Sequence, residues 1–159
     1  MSINLKNHHY LFVCVVIISL VFAYFVEYVM EIAACPLCIY QRFPYLIILT
    51  ISIIGMANKK PMLELYFITC LFSLLLSAYH SGVERGLFEL SSFCKPLNSI
   101  SNMDSLDDFQ NMLYNQPIGM CNKPALVILN FSMAEWNFIL NICLIGFILL
   151  LKLKRTDNA

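Results

Sequence analysis

Asn58-Lys59-Lys60-Pro61 interrupts a stretch that is otherwise predominantly apolar from Ile39 to Tyr79. Each arm of that stretch is close to the ~20 residues that carry a helix across a bilayer's hydrocarbon. So short a polar turn forces the two arms to be antiparallel neighbouring helices, with Pro61 suited to open the second. Outward from this pair, two further apolar runs bring the expected spans to about 10–30, 39–57, 62–79 and 134–151. The chain is 60% apolar over 159 residues, and its mean hydropathy is +0.74, more than a soluble domain of this size carries. The predicted fold class is therefore an all-α membrane protein. It is a four-helix transmembrane bundle forming a single membrane domain over residues 1–159, without internal repeats.

The formal charge of zero leaves no basic surface for phosphates, so no nucleic acid partner is expected; membrane lipid is. Lys6, Lys59, Lys60, Lys152, Lys154 and Arg155 fall on one side of the membrane. Arg42, Arg85, Lys95 and Lys123 share the other with many acids. The positive-inside rule then puts both termini in the cytoplasm and the loops at about 31–38 and 81–133 outside. Ile32-Ala33-Ala34-Cys35 resembles a lipoprotein processing site, but the preceding run is too long for a signal core and contains Glu27 and Glu31. The first run is accordingly read as a permanent span.

Both outward loops carry cysteines: Cys35 and Cys38 in Cys35-Pro36-Leu37-Cys38, then Cys94 and Cys121. Thiols facing an oxidising compartment form disulfides, and a CxxC pair at a helix start is suited to exchange them. With Cys35 as N-cap, Pro36 fills the first turn, where a missing N–H is harmless. Cys38 then meets the free N–H groups and positive dipole end of the helix, with Arg42 one turn further on the same face. This predicts a nucleophilic Cys38 thiolate beside a guanidinium able to bond a carbonyl oxygen. The plainer reading is a structural disulfide with a snorkelling arginine. Pro44 predicts a kink that could make room for a flat ligand.

In the second loop, Leu106, Phe109, Met112 and Leu113 fall at helical spacing within 103–114. They predict a short amphipathic helix, either on the membrane surface or packed on the bundle. A Cys94–Cys121 bond would flank it, either as a staple or as an exposed disulfide open to a partner's thiolate. A zinc site built from the four cysteines is disfavoured because the second pair is spread across a loop, so no metal is expected. Cys14, Cys70 and Cys143 read as buried apolar residues. His80, at the end of the third span, could donate a hydrogen bond, carry a proton or simply end a helix. Trp136 reads as an interfacial anchor.

These residues resemble a known family. Cys35-Pro-Leu-Cys38-Ile-Tyr-Gln-Arg42, Tyr79-His80-Ser-Gly-Val-Glu84, Cys94, Cys121 and Ser132-Met-Ala-Glu-Trp136-Asn are similar to the disulfide bond formation protein B (DsbB) family of the bacterial inner membrane. The resemblance implies a protein dithiol:quinone oxidoreductase that generates disulfides for protein folding. Its implied cofactor is a quinone, ubiquinone or menaquinone, drawn from the membrane quinone pool. Its implied partner is a periplasmic thioredoxin-like thiol oxidase (DsbA-like), which attacks Cys94. Cys121 would then exchange with Cys35, Cys38 would face the quinone, and Arg42 would polarise a quinone carbonyl, with His80 a second cofactor-binding candidate. A vitamin K epoxide reductase-like enzyme and a non-enzymatic scaffold with structural disulfides are the alternatives.

Overall fold

A computed structural model describes residues 8–58, 61–89, 94 and 119–157. The amphipathic helix expected at 103–114 and the turn lysines Lys59 and Lys60 lie outside the described residues. In chain order the elements are α1 (His8–Tyr28), α2 (Pro36–Tyr40), α3 (Arg42–Asn58), α4 (Leu63–Glu84), β1 (Val127–Ile128), β2 (Phe131–Ser132) and α5 (Met133–Asp157). Four helical segments are long and apolar enough to cross a membrane: His8–Tyr28, Pro36–Asn58, Leu63–Glu84 and Met133–Thr156. Together they form a four-helix bundle. The third span runs beyond Tyr79 to Glu84, and the fourth beyond Leu151. Polar residues at span ends cost little where water or headgroups can reach them, so helices outlast their apolar runs.

The second span is two helices broken at Gln41, just upstream of Pro44. A proline ring collides with the carbonyl four residues earlier, here that of Tyr40, and donates nothing to it. The kink expected of Pro44 is therefore relieved at Gln41, which turns its side chain into the bundle, where it is buried.

One half of the bundle holds an apolar core of Phe12, Val16, Ile48, Tyr66, Leu144 and Ile148, with Phe12 stacked on Tyr66 at 4.2 Å. Cys70 is buried there as expected, whereas Cys14 and Cys143 are exposed on the outer face. Tyr66 bridges three helices, its hydroxyl 2.8 Å from His9 Nδ1 and donating to Ser52 Oγ at 2.8 Å. Outward positions such as Ile18, Ile68, Leu75 and Leu150 stay exposed, as lipid-facing residues do.

The cysteine end is shaped by two turns. Gly86, at φ 70, ends α4 with Gly86 N–H bonded to Val83 O at 3.1 Å and Leu87 N–H to Gly82 O at 2.8 Å, the Schellman pattern. Val127–Ile128 and Phe131–Ser132 form a small antiparallel hairpin. Its turn residues Leu129 and Asn130 have φ of 53 and 67, as a type I′ turn requires.

Candidate functional site

Cys35 is the N-cap of α2, with Pro36 in the first turn, and its Sγ accepts the Cys38 N–H at 3.2 Å. The two sulfurs lie 2.8 Å apart, within reach of a disulfide after small side-chain rotations. On the other side, His80 Nε2 stands 3.4 Å from Cys35 Sγ. The donors thus converge on Cys35 rather than on Cys38, where the sequence places the thiolate. The reason is local, since an N-cap side chain is the one that receives the first free N–H groups. The Cys38 thiol, the His80 ring and the Cys38 N–H pull the Cys35 thiol down to about 5, against burial, which raises it.

Cys94 and Cys121 form a disulfide. With Cys35, Leu37 and Val83 they make one buried cluster, against which Cys38 and Tyr79 pack. The bond is buried, Cys94 being 6% and Cys121 0% exposed, so the exposed disulfide considered from the sequence is not what the fold presents. Gly119 explains the burial: its N–H bonds Ala34 O at 3.4 Å, and a Cβ there would sit 3.0 Å from Cys35 N and collide with Ala33 O. Only glycine lets this segment lie flat on the CxxC loop.

Beside the cysteines opens a cavity of about 390 Å³. Helices α1 and α5 meet at Phe12 and Phe147, ring centroids 6.2 Å apart. Toward the cysteine end both line it, through Leu20, Phe22 and Val26 of α1 and Met133, Trp136 and Leu140 of α5. Cys35, Cys38, Gln41, Arg42, His80 and Asn137 are among the residues that supply its polar atoms, with Glu27, Glu84 and Lys123 also on its lining. Arg42 is not idle there. It pairs with Glu27 at 2.5 Å and lies over the Tyr24 ring at 4.7 Å. One carboxylate leaves several of its five N–H donors for another acceptor.

Trp136, expected only as an anchor, has a structural partner: its Nε1–H bonds Ile128 O at 3.0 Å and ties the hairpin to the cavity rim. Behind His80, Glu84 Oε1 is 3.6 Å from Nε2, and Glu84 also receives the Ser132 hydroxyl. Ser132 N–H in turn bonds Glu135 at 2.8 Å, which pairs with Arg85. Gln41, Glu27 and Asn137 are the cavity residues that sequence reasoning missed as members of a site. A glutamine or asparagine within an apolar run is the signal that could have marked them, since buried amides need partners.

The disulfide bond formation protein DsbB family model matches residues 6–151. A protein of Rickettsia prowazekii (strain Madrid E), itself described as uncharacterized, is 44% identical over 146 residues, spanning 89% of this chain and 84% of its own. With four apolar spans and two cysteine pairs gathered at one end of the bundle, the chain belongs to the disulfide bond formation protein DsbB family.

Proposed function

We propose that this membrane domain oxidises a periplasmic thioredoxin-like dithiol oxidase and passes the electrons to a membrane quinone, ubiquinone or menaquinone. The observation that carries the reading is the clustering of Cys35, Cys38 and the Cys94–Cys121 disulfide beside one apolar cavity. Charge placement supports an orientation with both termini cytoplasmic and both cysteine loops periplasmic.

The Cys94–Cys121 bond is buried, and Cys94 is the less enclosed of its two cysteines; the partner's thiolate attacks Cys94, and the bond breaks to leave a mixed disulfide and a Cys121 thiolate. The partner's second thiolate completes its own disulfide and leaves Cys94 and Cys121 reduced. Exchange with a Cys35–Cys38 disulfide, opened by Cys121 attack at Cys35, restores Cys94–Cys121 and leaves Cys35 and Cys38 reduced. A quinone supplies the acceptor for the resulting two electrons and two protons. The cavity fits such a group, its volume lying within the ~300–1,000 Å³ of small-molecule sites, with mostly apolar walls and few polar groups. Arg42, held by Glu27 and Tyr24, presents N–H donors to a carbonyl oxygen. Cys38 stands at the cavity wall, and His80 supports the Cys35 sulfur.

The test is to trap the first step. With the Cys94–Cys121 bond intact, the partner's active-site single-cysteine form, which lacks the second thiolate that would release it, should accumulate as a disulfide-linked adduct on Cys94, visible on a non-reducing gel. Cys94→Ala should give none. An adduct at neither position would remove the relay.

A further inference from the structure

Five polar side chains behind the cavity form a directed hydrogen-bond chain, and its direction can be read from one fixed end. Asn141 Nδ2 lies 2.8 Å from the Asn137 backbone carbonyl oxygen, which only accepts. The same NH2 reaches Asn137 Oδ1 at 2.9 Å, so Asn137 must present its oxygen to Asn141 and to the Tyr45 hydroxyl. Asn137 Nδ2 is then the donor to Gln41 Oε1 at 3.0 Å. That leaves the Gln41 NH2 facing His80 Nδ1 at 3.1 Å. A nitrogen facing an NH2 accepts, so Nδ1 is bare and the ring proton sits on Nε2, which stands 3.4 Å from Cys35 Sγ and 3.6 Å from Glu84 Oε1.

We infer that Gln41, oriented by Asn137 and Asn141, is a positioning residue that fixes His80 as the Nε2–H tautomer and aims that proton at the Cys35 sulfur. A proton added at Nδ1 would face the hydrogens of Gln41, so the ring serves as a donor to sulfur and not as the base that takes the Cys35 proton. The relay is buried, Gln41 at 8%, His80 at 1% and Asn141 at 0% exposed, so water does not compete to reverse it. Asn141 keeps this polarity even though its Oδ1 finds no partner among the described residues. Turning the amide over would set that oxygen against the Asn137 carbonyl. The break at Gln41 gives the relay its geometry, by aiming Gln41 between α4 and α5.

This inference concerns the donor behind Cys35 and takes its catalytic meaning from the proposed quinone relay, but its test does not depend on turnover. Imidazole-15N-labelled protein in detergent, with His80→Gln to assign the signal, reports which ring nitrogen of His80 bears the proton. The wild type should show a protonated Nε2 and a bare Nδ1. Gln41→Glu, whose carboxylate accepts instead of donating, should move the proton to Nδ1, and Gln41→Asn should not reproduce that reversal. A wild-type ring protonated at Nδ1 overturns the inference, as does a tautomer indifferent to Gln41→Glu. The tautomer result in a protein that reduces no quinone would uphold the positioning and remove only the relay.

Discussion

Gly119 lies so close to Cys35 that any side chain there would press on the Cys35 backbone nitrogen, 3.0 Å from a Cβ, and on the Ala33 carbonyl. That approach seats Cys121 in the same buried cluster as Cys35. Gly119→Ala should push the segment outward. Quinone reduction should fall by on the order of 10- to 100-fold, the range expected when reacting groups shift by about an ångström. Partner attack on Cys94 should be unimpaired or faster. Single-turnover kinetics of each step checks this, and equal loss in both would point to misfolding instead.

Cys35 should be ionised well below the ordinary thiol range. The Cys38 thiol, the His80 ring and the Cys38 N–H together hold it at about 5, far below an ordinary thiol near 9. The reduced pair therefore gains stability above about pH 9, loses it progressively as pH falls, and has none of it below about pH 5. In a Cys94→Ser/Cys121→Ser background, thiolate absorbance should persist into mild acid and vanish with Cys35→Ser. A midpoint near that of a free cysteine would contradict the donor geometry.

Arg42 should act through its fork of donors and not through charge alone. Arg42→Lys keeps the charge but loses the bidentate geometry and the flat face over Tyr24. The quinone KM should rise about tenfold, the ~1.4 kcal/mol of one charge-assisted hydrogen bond, while partner attack on Cys94 is unchanged. Steady-state kinetics with varied quinone separates the two.

At the opposite end of the bundle, Gly55 faces the buried His9 ring, and a Cβ there would stand 2.8 Å from Nδ1. Gly55→Ala should destabilise the bundle by about 1–3 kcal/mol through overpacking. His9→Ala added to it should recover part of that loss, since it removes the colliding ring. Thermal unfolding in detergent measures both, and additive losses would refute the contact.

The four spans were legible because lipid imposes its own length and composition on a helix, and because Asn58-Lys59-Lys60-Pro61 separates two of them. The Cys35 cap and Pro36 were legible because capping is local. Pro44 announced a kink but not its site, which depends on how Gln41 finds partners across the bundle. The Gln41–Asn137 bond joins residues 96 apart in sequence, and no local pattern links them. Likewise Arg42 could be read as a donor, while its pairing with Glu27 arises only when α1 packs against α3. The Val127–Ser132 hairpin was missed because Leu129 is a poor marker of a positive-φ turn.

Quinone absorbance followed with the purified protein, a reduced thioredoxin-like oxidase and a soluble quinone, for wild type and Cys38→Ala, tests the relay most directly. The account predicts quinone loss in the wild type that disappears with Cys38→Ala. No turnover with several quinones and a competent partner, or turnover indifferent to Cys38, would contradict it and favour a scaffold held by structural disulfides.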